Sequence, residues 1–257
     1  MRNILLTIEY DGTNFSGWQR QPNARTVQGE IEEALTKLIG KPMLIDGTSR
    51  TDAGVHAKGQ CASFKLEDAG IPTDRIAKAL NDILAFDKLE GIGDVRILSA
   101  VEMPEDFHAR YSAKGKRYIY RLYNAAEKSP FRRTLFYQIA EKLDLDAMRD
   151  AAKYIIGTHD FKSFETSGST VHESTVRTIY NLTITQSATD SNMIEISIEG
   201  DGFLYNMVRI IVGTLIEVAL HKKTPAEVEK IIEAKDRSLA GHTAPPQGLY
   251  LDEVFYK

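Results

Sequence analysis

Asn3 to Tyr10 alternates apolar and polar residues with a period of two, the spacing of a strand that buries one face. Asp11-Gly12 follows with turn chemistry. At Val27 the period changes. Val27, Ile31, Leu35, Leu38 and Ile39 recur at helical spacing, and Gly40 stands where a C-terminal cap belongs. The pattern then predicts strands over Met43–Thr48 and Gln60–Leu66 and a helix opening at Ile71-Pro72-Thr73 and running to about Leu84. A further strand is predicted over Asp94–Val101.

The second half reads in the same order. Lys116 to Tyr123 alternates, with Tyr118, Tyr120 and Leu122 on one face. A helix is expected from Asp144 or Leu145 to Ile156, capped by Gly157. Val176–Thr185 and Met193–Glu199 form an antiparallel pair joined by the polar turn Ala188–Asn192. Phe203–Leu220 is apolar on nearly every side, as a buried helix is. Thr224-Pro225 opens another helix, with Glu227 placed for a capping box. Leu249–Phe255 is a closing strand. A β-α-β-β-α-β order seen twice predicts an α+β protein of two ferredoxin-like (RRM-like) domains, 1–105 and 106–257. Their antiparallel sheets are expected side by side around a central cleft.

The chain has 257 residues, enough for one large domain or two modest ones, each able to bury a core. The single cysteine, Cys61, excludes an internal disulfide and a cysteine-rich metal site. No run of about 20 apolar residues occurs, and Arg209 and Glu217 break the most apolar stretch. The opening residues meet Glu9 and Asp11 too soon for a signal peptide, so the expected location is the cytoplasm. A net charge of -4 argues mildly against a nucleic-acid partner. The stretch from Lys114 to Arg133 is different: it is rich in Lys and Arg, with Glu127 its only acid. It fits either an RNA-binding face or a solvated strand surface.

Chemistry concentrates in Thr48-Ser49-Arg50-Thr51-Asp52-Ala53-Gly54-Val55-His56, a polar connection between two predicted strands. It reads either as an ordinary Asx-turn or as a carboxylate, Asp52, held on a tight turn with Arg50 and His56 close by. Arg209 shifts the balance, because a guanidinium in an apolar helix needs a carboxylate or other acceptors. Asp52 is one candidate partner; escape to the surface, or pairing with Glu199 or Asp201, is the alternative. Tyr118 lies in Lys116-Arg117-Tyr118-Ile119-Tyr120-Arg121, where rings alternate with cations. That run is either a platform for unstacked bases or a strand with a core-facing tyrosine.

The motifs resemble those of the tRNA pseudouridine synthase A family. They run almost end to end: Tyr10-Asp11-Gly12 with Gly17-Trp18-Gln19-Arg20-Gln21, then Arg50 to His56, and Asp106 to Ala113. Arg117-Tyr118, Met207 to Gly213, and Gly248-Leu249-Tyr250-Leu251 complete the set. The resemblance implies that Asp52 is the catalytic aspartate, that Tyr118 stacks on the target uracil, and that Arg209 pairs with the aspartate. Arg50 matches the residue that fills the space of the extruded nucleotide, and Leu249 part of the apolar wall. Phe107, His108, Ala109, Arg110 and Tyr111 match one region of RNA contact; Gly168, Ser169, Thr170, Val171 and His172 match another. The implied partner is the anticodon stem-loop of tRNA, modified at uridines 38, 39 and 40 and gripped by a homodimer. No cofactor and no metal are implied. Ser49 departs from the family's usual glycine, and Asn81–Asp94 is longer than the usual segment and lacks its proline. These departures put the choice of uridine in question and leave the chemistry intact.

Pseudouridine formation breaks the N1 glycosidic bond, turns the base and joins C5 to the ribose. Asp52 can serve by attacking C1′, by attacking C6 or by removing the C2′ proton, and each needs an ionised carboxylate. His56 and His108 are secondary candidates for RNA contact. Two rival readings remain: an RNA-binding or chaperone protein without catalysis, and a nucleosidase, which usually needs two carboxylates at one bond.

Overall fold

The computed structural model describes residues 1–67, 70–86, 88–166 and 174–257. It divides into two units, Met1–Lys114 with Tyr250–Lys257, and Gly115–Leu249. The first carries β1 (Arg2–Tyr10), α1 (Val27–Ile39), β2 (Asp46–Gly47), β3 (His56–Leu66), α2 (Thr73–Leu84) and β4 (Val95–Met103). The second carries β5 (Gly115–Asn124), β6 (Tyr137–Ile139), α3 (Leu145–Ala152), β7 (Gly157–Asp160), β8 (Val176–Gln186), β9 (Met193–Gly200), α4 (Met207–Ala219) and α5 (Glu227–Ala234). β10 (Leu249–Phe255) brings the chain back to the first unit from Tyr250 onward, although the sequence pattern groups it with the second half. The class is α+β, with mostly antiparallel strands.

In the first unit β1 lies between β3 and β4, antiparallel to both. β10 runs parallel to β3, with Tyr250 opposite His56 and Leu251 opposite Ala57. α1 forms over the span its periodicity predicts. Thr26 caps it by accepting from the Gly29 amide, Gly40 ends it in the left-handed region, and Val27, Ile31 and Leu35 face the core. The strand expected over Met43–Thr48 shrinks to Asp46–Gly47. The cause lies in α1: the Met43 amide donates to Thr36 Oγ1 (3.2 Å) and the Ile45 amide to Glu32 Oε1 (3.1 Å), so α1 side chains replace the ladder.

The second unit does not repeat the plan cleanly. β5, β9, β8 and β7 pair antiparallel in that order, and β6 adds in parallel to β5. α3 stops at Ala152, short of the expected Ile156, and Gly157 opens β7 opposite Ile179 instead of capping a helix. α4 begins at Met207 and not at Phe203, because Asn206 takes a left-handed conformation (φ 61°) immediately before it. α4 is the core of this unit, with Ile210, Ile211, Val212 and Leu215 buried. Only half of the predicted box before α5 forms: Glu227 Oε2 accepts from the Thr224 amide at 2.6 Å, but the Thr224 hydroxyl donates to the same carboxylate instead of accepting from the Glu227 amide, and α5 itself starts at Glu227.

Candidate active site

In the first unit the candidate residues lie on a turn. The Val55 amide donates to the Asp52 carbonyl at 3.1 Å, closing four residues, and Gly54 occupies the third position at φ 77°. A turn with a positive φ there selects glycine. The loop before and after Asp52 is deeply held. Thr51 is buried, its hydroxyl 2.7 Å from the Tyr10 hydroxyl and its carbonyl accepting from the Trp18 amide at 3.0 Å. A Cβ on Gly12 would lie 1.9 Å from the Val55 carbonyl oxygen, so only glycine lets the strap after β1 seat against the turn. Asp52 itself is half-buried, while Arg50 is exposed.

His56 is 1% exposed and stacks on Tyr250 with ring centroids 4.7 Å apart. This burial removes it from the residues that present themselves to RNA. Its Nδ1 lies 3.1 Å from the Gly12 amide, which donates to it, and 3.2 Å from Asp11 Oδ1. The His56 ring, with help from Thr13 and against the cost of burial, holds the Asp11 carboxyl well below the ordinary carboxylate range. Burial pushes the Cys61 thiol up to about 11, so it is no nucleophile at neutral pH.

In the second unit Tyr118 is 7% exposed on the core-facing side of β5, and its ring meets Phe203 edge-on at 5.1 Å. Arg209 leaves the half-buried side of α4. Its Nε donates to the Ala244 carbonyl and its Nη1 to Asn206 Oδ1, both at 2.7 Å. The two acids considered as alternative partners are engaged elsewhere: Glu199 with Arg117 at 3.1 Å, and Asp201 with the Thr178 amide at 3.0 Å. The loop that supplies Ala244 packs tightly on α4, for a Cβ on Gly213 would lie 1.8 Å from the His242 carbonyl oxygen. Thr214 Oγ1 also accepts from the Gly241 amide at 2.8 Å. Tyr120, fully buried, donates to the Pro245 carbonyl at 2.6 Å, and burial drives its hydroxyl pKa well up against the opposing charge of Arg209. Leu249 is buried.

Phe107 packs on Tyr256 at 5.0 Å, and Ala109 is buried with its amide on Ser63. Arg110 and Tyr111 are exposed beside half-buried His108, whose ring lies 4.5 Å from that of Tyr111. Gly168, Ser169, Thr170, Val171 and His172 lie outside the described residues. The basic stretch is balanced in part: besides Arg117, Arg121 meets Glu195 at 2.9 Å and Arg132 meets Asp190 at 3.1 Å. Sequence reasoning quoted Tyr10, Gly12 and Trp18 only as motif letters and did not see their grip on the Asp52 turn. It also missed Asn206 and Ala244 as acceptors for Arg209. Among the described residues no three His, Cys, Asp or Glu side chains gather as a metal site requires.

The model of a family described as tRNA pseudouridine synthase matches residues 6–112 and 151–257. A tRNA pseudouridine synthase A from Acetivibrio thermocellus is 49% identical over 256 residues, covering 100% of both chains. Enzymes of the same name from Ruminiclostridium cellulolyticum (48% identical) and Clostridium acetobutylicum (46%) also align over 100% of both chains. A solved Cbf5–Nop10–Gar1 complex covers 96% of this chain and 57% of its own at 9% identity; its TM-score of 0.37 is too low to bear on fold or function. The chain belongs to the tRNA pseudouridine synthase family, isomerases that convert uridine to pseudouridine within tRNA.

Proposed function

We propose that this synthase acts on uridines 38, 39 and 40 in the anticodon stem-loop, with Asp52 as its catalytic carboxylate. The observation that carries the reading is the end-to-end similarity to relatives named tRNA pseudouridine synthase A. Tyr118 is assigned to stack on the target uracil, Arg209 to pair with Asp52, Arg50 to fill the place of the extruded nucleotide, and Leu249 to wall the base. Residues Phe107 to Tyr111 and Gly168 to His172 are assigned to tRNA contact. The geometry within each unit supports these roles. Asp52 sits on a turn that its neighbours hold still, and preorganised aim is what a reacting carboxylate requires. Arg209 is anchored at two of its nitrogens, with Glu199 and Asp201 already engaged. Exposed Arg110 and Tyr111 offer a cation and a ring to RNA.

In this reading a nucleotide leaves its stack before reaction. Asp52, ionised, acts at C1′, C6 or the C2′ proton; the N1–C1′ bond breaks, the C5–C1′ bond forms, and the C5 proton leaves as N1 gains one. Tyr118 holds the base and assists at C5. The domains are two ferredoxin-like folds bounded near residue 105, and the strand order β4-β1-β3 with β2 beside β3 supports that plan for the first half. The working form is a cytoplasmic homodimer.

The test uses tRNA tritiated at uracil C5, with Asp52→Asn beside the native protein and pseudouridine mapped afterwards. Tritium released by the native protein alone, with product in the anticodon arm, is the expected result. Tight binding without release from any tRNA favours a non-catalytic RNA-binding protein.

A further inference from the structure

The Asp52 turn is gripped at both ends by side chains that touch no substrate in the scheme above. At its leading end the Tyr10 hydroxyl, at the end of β1, meets Thr51 Oγ1 at 2.7 Å in a buried contact. At its trailing end the Val55 carbonyl rests against Gly12, and Gly12 is tied to the residue that follows the turn, His56, through Nδ1 at 3.1 Å. The strap between these points is fixed from outside. Gly17 and Trp18 carbonyls accept from the Val27 and Gln28 amides at 3.3 and 3.0 Å, two of the donors that the first turn of α1 leaves without intrahelical partners.

We infer that Tyr10 and His56 are positioning residues which clamp the Asp52 turn from its two ends and set the aim of its carboxylate. The inference rests on the reading of Asp52 as the catalytic group. The chemistry of His56 suits the task. Its Nδ1 is within hydrogen-bond range of both the Gly12 amide and the Asp11 carboxylate. Bare, it accepts from the amide; protonated, it donates to the carboxylate. In either form the ring ties residues 11–12 to the start of β3. Stacking on Tyr250 fixes the plane of the ring, and its burial leaves it no route to the substrate. An ordinary buried histidine would contribute only packing, and any side chain of similar volume would replace it.

That contrast defines the experiment. Tritium release is measured at saturating and limiting tRNA for His56→Leu, His56→Asn, Tyr10→Phe and Asp52→Asn, with thermal unfolding of each. His56→Leu keeps apolar volume but loses Nδ1, and kcat is expected to fall roughly 30- to 100-fold with KM for tRNA nearly unchanged, the signature of a misaimed group. His56→Asn places an amide that can accept from Gly12 or donate to Asp11, and it should recover about tenfold of that loss. Tyr10→Phe should lower kcat about tenfold, again at constant KM. A folded His56→Leu protein with native kcat overturns the clamp. So does an equal loss in the leucine and asparagine variants that tracks their unfolding temperatures. If His56→Leu does not fold, Tyr10→Phe decides: a kcat loss at fixed KM supports the clamp, and native kcat overturns it. An active Asp52→Asn protein overturns the assignment of Asp52 and the clamp with it. An inert Asp52→Asn beside a fully active His56→Leu overturns the clamp alone.

Discussion

The Asp52 turn and the α4 segment around Arg209 solve one problem with different means. Both present a charged side chain from a firmly held backbone. Both use a glycine to bring two backbones into contact, Gly12 against the Val55 carbonyl and Gly213 against the His242 carbonyl. In the turn, position comes from backbone hydrogen bonds and one buried hydroxyl pair over a few residues. In α4, position comes from a helix whose Ile210, Ile211, Val212 and Leu215 are locked in an apolar core, so the cation rides on a rigid rod. The difference teaches where each is fragile: the turn to loss of single polar contacts, the helix to changes of volume.

The largest effects should come from the glycines. Gly12→Ala and Gly213→Ala each force a methyl into a backbone oxygen and should cost about 3 kcal/mol, read by chemical denaturation. The comparison predicts that Gly213→Ala loses stability throughout the second unit, whereas Gly12→Ala loses amide protection chiefly around residues 51–56; equal protection loss in both units breaks it. Arg209→Lys comes next. Lysine keeps the charge but cannot reproduce the paired donors to Ala244 and Asn206. Single-turnover rates should fall about 100-fold if the orientation of this cation matters to the chemistry. Thr214→Val leaves the Gly241 amide without its buried acceptor and should cost about 2 kcal/mol in thermal unfolding. The smallest effect depends on pH. The Asp11 carboxyl lies below its unfolded value, so its contribution to stability is complete above that value and disappears as pH falls through the window beneath it. Asp11→Asn should therefore unfold more easily than the native protein at pH 7, and the gap should narrow progressively as pH falls below about 4.

Much of this was legible in the sequence, for reasons that can be named. Val27 to Ile39 and Leu249 to Phe255 were read at their observed bounds, because long periodic runs flanked by caps or turns leave one interpretation. Met43–Thr48 was misread because its backbone partners are side chains of α1, a tertiary fact with no local trace. β6 and β7, of three and four residues, are too short to show a period. Asp52 and Arg209 were visible as charges out of place. Tyr10 and Gly12 were visible only as motif residues and His56 as a candidate for RNA contact, since their hold on the turn appears only when the fold brings them together. The basic stretch left an RNA-binding face and a solvated strand surface both open: its cations could be counted, but Glu195, Glu199 and Asp190, which answer three of them, lie far along the chain.

β10 gives the molecule an order of assembly. A ribosome makes β3 well before Tyr250, yet Tyr250 pairs with His56, and Tyr256 closes on Thr48 and on the Ala109 carbonyl. The first unit therefore stays unfinished while the whole second unit is synthesised. Its last strand arrives through a contact between residues distant in the chain, the slow kind of step in folding. Until then the β3 edge beside the Asp52 turn is an open template for other strands, and a nascent chain would gain most from a chaperone at that edge.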